Sequence, residues 1–199
     1  MKLFKLIAAS LAVVGCFGLS AFAGEPKDKV SVGFVYVGPT GDHGWTYRHD
    51  IGRKQVEEAF GDRVETRFVE SVAYGDDASR VFTQMAMQGV DIIFGTSFGY
   101  MDAMLEVAEK FPDTKFEHAT GYKTNGTNMT NYGLRLYQAR HVQGVIAGMM
   151  TKTNKICYVA AYPIPEVVRE INTYYLGAKS VNPDVDIDIV WVYTWYDPG

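Results

Sequence analysis

Two rhythms of hydrophobic and polar positions alternate along this chain. Short apolar runs of strand type recur at Val30 to Val37, Val64 to Val69, Val90 to Phe94, Phe116 to Ala119 and Met129 to Leu134. Most are separated by stretches of helical period. Gly52, Val56, Ala59 and Phe60 fall at i, i+4, i+7 and i+8, with Gly61 placed to cap the helix. Ala78, Val81, Phe82 and Met85 fall at i, i+3, i+4 and i+7 and are closed by Gly89; Met101, Met104, Leu105 and Ala108 repeat the spacing and stop at Pro112. This alternation predicts an α/β fold with a parallel sheet and helices on both faces. Such sheets take their ligands at the carboxyl ends of the strands, so the residues just after each strand matter most.

From about residue 135 the rhythm continues in what reads as a second lobe. Val142, Val145, Ile146 and Met149 form one stripe, and Val167, Ile171, Tyr174 and Ala178 another. Lys155 to Ala161 and Asp186 to Tyr193 are its strands. Asp197-Pro198-Gly199 is a turn that should open a further helix. The chain therefore reads as cut off in mid-fold, with two strands too few to stand as a sheet of their own. The expected division is a leader at 1–23, an N-terminal α/β lobe at 24–134, and a crossover helix with the start of a truncated C-terminal lobe at 135–199.

The start of the chain sets the compartment. Lys2 and Lys5 precede an apolar run from Leu6 to Val14, and Ala21-Phe22-Ala23 stands before Gly24. This is the pattern of a secretory signal peptide. Val13-Val14-Gly15-Cys16 also resembles a lipobox, in which Cys16 would be lipidated; the apolar residues that follow it favour simple cleavage. The expected location is periplasmic. No second apolar run is long enough to span a bilayer. Without the leader, 17 basic residues face 23 acidic ones, a net charge of −6. Such a chain, with no Lys/Arg cluster, argues against nucleic acid as a partner. The hydrophobic share of 47% is ample for a packed core. Cys157 is then the sole cysteine left, so no internal disulfide is expected, and its apolar run reads it as a small buried hydrophobe.

Candidate chemistry follows the strands. The loop Gly38-Pro39-Thr40-Gly41-Asp42-His43-Gly44-Trp45-Thr46-Tyr47 lets the backbone approach a ligand and offers free N–H groups at a helix start. It lacks the Lys of a nucleotide phosphate loop. Trp45 beside Asp42 and Thr46 suits a flat heterocycle; the alternative has Trp45 fastening its helix to the core. Gly95-Thr96-Ser97-Phe98-Gly99 matches G-x-S-x-G between strand and helix, so a secreted α/β serine hydrolase using Ser97, with Asp113 and His118 or His141, is the alternative function. Against it, Asp113 and His118 are only five residues apart and no glycine-rich oxyanion loop precedes Ser97. The better reading is a strand-end loop, Ser97 to Tyr100, that leaves room for a ligand. His43, His49, His118 and His141 lack metal-ligand spacing, so no metal or cofactor is expected. Asp76-Asp77 reads as a helix cap. The sequons at Asn125 and Asn128 read as a turn. Tyr193-Thr194-Trp195-Tyr196-Asp197 and the helix start Ile164 to Asn172 are the second lobe's counterparts of the Trp45 loop.

Several motifs together resemble the basic membrane protein family of ABC-transporter substrate-binding proteins, the group that includes purine nucleoside receptors. They are Gly41-Asp42-His43-Gly44-Trp45-Thr46 with Gly52-Arg53-Lys54, Gly89 to Gly95, Phe111 to Phe116, the Gly144 to Gly148 helix, Ile164 to Arg169, Asn182-Pro183 and Trp195 to Pro198. The resemblance covers essentially the whole chain after the leader. It implies a type I periplasmic binding fold of two hinged lobes, no catalysis, a small-molecule ligand and an inner-membrane ABC permease as partner. In nucleoside-binding members the first loop carries an acid, a stacking aromatic and an Asn. Asp42, Trp45 and Thr46 stand in those places, and Thr removes the amide, so a free purine base stands equal with a nucleoside. The ligand-binding set expected on this basis is Asp42, Trp45, Thr46, Ser97, Phe98, Tyr100, Asn172, Trp195 and Asp197.

Overall fold

The computed structural model describes residues 27–198. The leader and Cys16 lie outside the described residues. Five parallel strands, β1 (Val30–Val35), β2 (Val64–Val69), β3 (Ile92–Gly95), β4 (Lys115–Ala119) and β5 (Met129–Tyr132), form one sheet in the order β2-β1-β3-β4-β5. The chain steps one way from β1 to β2 and the other way from β2 to β3 and β4. Right-handed crossovers then put α1 (Trp45–Phe60) on one face and α2 (Asp76–Met87) and α3 (Met101–Lys110) on the other.

Side-chain alternation divides the core accordingly. Val35 and Ile93 meet Phe82, Met85, Met104 and Phe116 under α2 and α3. Val32, Phe34 and Tyr36 meet Ile92 and Phe94 on the α1 face. The loop between β4 and β5 is fixed by amides. Asn125 Oδ1 accepts the N–H groups of Thr127, Asn128 and Met129, and buried Asn128 donates to the carbonyls of Ala108, Phe111 and Thr114. Both sequon asparagines therefore shape a turn.

The inner face of α1 is not the apolar stripe expected from Gly52, Val56, Ala59 and Phe60. Its buried residues are Thr46, Asp50 and Arg53, and Phe60 is exposed. Arg53 explains this. Its Nε donates to Asp50 Oδ1 at 2.7 Å and its Nη1 to Glu57 and to the Thr66 hydroxyl of β2 at 2.8 and 2.9 Å. The guanidinium lies over the Phe68 ring at 4.9 Å, and the Lys54 ammonium holds the other Asp50 oxygen at 2.8 Å. Burial alone would raise the Asp50 pKa, but the two cations outweigh it and hold the carboxyl below its usual range. The helix is seated by a paired charge network with an aromatic floor.

The remaining elements are α4 (Leu136–Met150), β6 (Lys155–Ala160), α5 (Pro165–Val181) and β7 (Asp186–Trp191), with β6 and β7 paired in parallel as a second sheet. On α5, Ile171 and Ala178 are buried as the periodicity requires. On α4 the outcome is reversed: Gly144 and Gly148 are buried, while Val142, Ile146 and Met149 are exposed. Small residues bring α4 and α5 together at backbone distance, and among the described residues nothing covers the apolar stripe. A Cβ on Gly144 would stand 1.9 Å from the Tyr174 carbonyl oxygen, and one on Gly177 would stand 2.2 Å from that of His141. Cys157 is exposed rather than buried, because strand alternation turns Ile156 and Tyr158 to one face of β6 and Cys157 and Val159 to the other. Among the described residues no helix is long and apolar enough to cross a membrane.

Candidate functional site

The strand order reverses at β1, so the loops after β1 and β3 part from each other and leave a crevice at the carboxyl edge of the sheet. Trp45, the first residue of α1, bridges it: its Nε1–H donates to the Thr96 carbonyl at 2.5 Å. The indole is half-buried and stands 4.7 Å from the His49 ring.

Asp42 organises this loop. Its carboxylate accepts the N–H groups of Gly44, Thr46 and Tyr47 at 2.8, 2.9 and 2.9 Å, which satisfies the free donors at the start of α1. Burial pushes its pKa up, but these bonds and the neighbouring Thr46 hydroxyl prevail and hold it below the usual carboxylate range. Asp42→Ala is expected to cost about 1–2 kcal/mol at neutral pH, the size of a lost N-cap. A group whose folded pKa lies below its unfolded value near 3.9 contributes fully above about pH 5, and loses that contribution as pH falls through the folded value. Urea unfolding at about pH 7 and pH 3 should therefore show the gap between wild type and variant narrowing in acid. A gap of equal size at both would contradict the role.

The strand-end residues of both units meet around a cavity of about 100 Å³ lined by Val37, Gly38, Asp42, Trp45, Thr46, Ser97, Phe98, Thr120, Ile164, Glu166, Trp195 and Tyr196. Tyr74, from the loop between β2 and α2, joins its two sides: its hydroxyl meets Ser97 Oγ at 2.7 Å and accepts the Trp195 Nε1–H at 2.8 Å. Trp195 also lies 5.0 Å from the Tyr162 ring. Glu166, in the first turn of α5, is half-buried there. Desolvation, then Glu170, raises its pKa against the opposing pull of Arg169 and Thr120. Thr120 and Glu166 also line an adjoining cavity of about 370 Å³ that includes Asn131, Arg135 and Arg169.

Of the nine residues singled out in the sequence, Asp42, Trp45, Thr46, Ser97, Phe98 and Trp195 line the cavity. Tyr100, Asn172 and Asp197 do not. Tyr100 is wholly buried, with its hydroxyl donated to the Val72 carbonyl, because the short 3-10 turn after Ser97 points it into the α2–α3 core. Asn172 is on an exposed face of α5, and Asp197 is exposed and not part of the lining. Glu166 and Tyr196 belong to the two segments noted after the second lobe's strands but not to the expected set, and Tyr74 and Thr120 were not singled out. All four follow the carboxyl end of a strand or open the helix after one, which is the signal that could have found them.

The geometry gives Ser97 no base. Its hydroxyl is engaged by Tyr74, and the His118 Nε2–H donates to the Ser97 carbonyl at 2.8 Å instead. Burial holds the His118 pKa low despite that bond. The nucleophile–base contact of a hydrolase is replaced by a structural tie.

The family model described as ABC transporter substrate-binding protein, PnrA-like, matches residues 29–199. A purine-binding protein of Brucella abortus (strain 2308) is 53% identical over 189 residues, covering 95% of this chain and 53% of its own length. A Haloferax volcanii protein named as an ABC transporter glucose-binding protein is 50% identical over 171 residues, covering 86% of this chain and 43% of that one. The chain thus spans about half the length of the curated relatives it matches. Among solved structures, an ABC transporter solute-binding protein from Aeropyrum pernix K1 superposes with a TM-score of 0.76 at 22% identity, over 85% of this chain and 49% of that one. That likeness carries the periplasmic-binding-protein fold.

Proposed function

The chain belongs to the PnrA-like family of ABC transporter substrate-binding proteins, and from that premise we propose that it holds a purine base or nucleoside between its two lobes, outside the cytoplasm, and delivers it to an inner-membrane ABC permease. Proteins of this family bind solutes rather than transform them. The observation that carries the ligand reading is the aromatic lining drawn from both sides: Trp45 at the start of α1, with Trp195 and Tyr196 after β7, around one cavity. An apolar cavity of ~150 Å³ takes a single benzene ring, so a purine would fill the aromatic cavity of about 100 Å³ and extend into the adjoining polar space of about 370 Å³.

The lining speaks for a base over a hexose. A sugar asks for a hydrogen-bond partner at nearly every carbon. Here the carboxylate of Asp42, the hydroxyl of Ser97 and the indole N–H groups of Trp45 and Trp195 are already spent within the protein. A base needs few edge contacts and two faces to stack on.

Isothermal titration with adenine, adenosine, guanosine and inosine, with glucose alongside, tests this. Heat with a purine and none with glucose is expected. Silence with every purine, or binding of glucose alone, rejects the ligand. Base–aromatic stacking is worth roughly 1–3 kcal/mol, so Trp45→Ala should weaken the purine about 5- to 150-fold. An unchanged Kd would remove Trp45 from the site.

A further inference from the structure

Which group reads the edge of the ring is a separate question from what stacks on its faces. In the aromatic cavity the polar side chains divide into two kinds. Asp42 has given its carboxylate to three backbone N–H groups, Ser97 its hydroxyl to Tyr74, and both indoles their N–H groups to oxygen acceptors. The Thr46 hydroxyl is buried and without a hydrogen-bond partner among the described residues, a neutral group of the lining that is also open to a ligand atom. Glu166 is the carboxylate of the lining whose charge is not taken up by backbone N–H groups; Thr120 bonds it, and it stands where the aromatic cavity adjoins the polar one.

Its position has a local cause. Pro165 occupies the first helical position of α5 with its fixed φ, Ile164 is extended just before it, and Glu166 therefore enters the first turn directly over the strand ends. An acid is favourable at a helix N-terminus, which stabilises the carboxylate in a setting that otherwise disfavours charge.

We propose that Glu166 is the specificity-determining residue of this cleft, accepting an N–H of a 6-amino group and so selecting 6-aminopurines over 6-oxopurines. The inference rests on the purine reading above. An ionised carboxylate has only acceptors. An amine on the ring completes a charge-assisted hydrogen bond with it. In the same pose a 6-oxo oxygen sets acceptor against acceptor in a partly desolvated site, and the nearest donor of a 6-oxopurine, its N1–H, meets the carboxylate only if the ring shifts by one position. Rejection of that kind is commonly stronger than the matching attraction. Glutamine at 166 would present both a donor and an acceptor and would serve either ligand.

Adenine and hypoxanthine separate the two inferences, because they share size and stacking faces and differ at the 6-substituent. Both would be titrated by calorimetry into the full-length protein and into Glu166→Gln. The wild type should prefer adenine by about 5- to 150-fold, the range of a good hydrogen-bond discrimination between bases. The variant should bring the ratio close to one by gaining hypoxanthine and losing adenine. An unchanged ratio in the variant overturns the role of Glu166. So does a wild type that binds both purines equally or prefers hypoxanthine, a result that does not depend on how the variant folds. If neither purine binds the wild type, the purine reading falls first and this one with it.

Discussion

Arg53→Met should lower the unfolding free energy by about 3 kcal/mol, the low end of the ~3–5 kcal/mol found when one partner of a buried ion pair is removed. The low end applies because Lys54 still faces Asp50 at 2.8 Å. Met keeps the apolar stem, so the loss is of charge pairing, of the three hydrogen bonds to Asp50, Glu57 and Thr66, and of the guanidinium's contact with the Phe68 ring. Chemical denaturation of the two proteins measures it. The double variant Asp50→Leu with Arg53→Met should recover part of the loss, since no uncompensated carboxylate is then left inside. If the two single losses simply add, the pair is not coupled and the account of α1 given above fails.

A methyl group on Gly144 should cost about 3 kcal/mol, the top of the ordinary range for overpacking. The added atom would stand 1.9 Å from a backbone oxygen of α5, and no rotamer change can relieve that. Helices α4 and α5 would have to separate. The same exchange elsewhere has the opposite sign. Gly52, within α1, has nothing within 4 Å of its missing Cβ, so Gly52→Ala should stabilise by about 0.5–1 kcal/mol through helix propensity. Thermal unfolding of Gly144→Ala and Gly52→Ala side by side therefore tests whether close approach, rather than glycine content as such, sets the cost. Destabilisation by both would argue against it.

These two sites also mark where hydrophobic pattern succeeds and fails in this chain. Strand and helix alternation is legible because it is local: β2 occupies Val64–Val69, the residues of the apolar run itself. The inner face of α1 is illegible to it, because Arg53 is buried through its pairing and its stem, and neither registers as apolar. On α4 the glycines that make the contact carry no hydrophobic signal at all, so the stripe of Val142, Ile146 and Met149 drew attention to the wrong face. Exposure of Cys157 was readable from strict alternation along β6, had one face been assigned to the helices. In the site, Trp45 was visible as an aromatic after a strand, within a loop of glycines. That Asp42 spends its charge on the backbone, and that Tyr74 reaches Trp195 across 121 positions of sequence, are facts of three-dimensional arrangement that no local window contains.

The Tyr74 hydroxyl touches Ser97 on one side and the Trp195 indole on the other. A neutral hydrogen bond of this kind contributes about 0.5–1.5 kcal/mol net, so the Tyr74–Trp195 bond fastens the loop after β2 to the segment after β7 by that much. Tyr74→Phe would remove it while leaving the ring in place, and the two sides of the cavity would then be held by that much less.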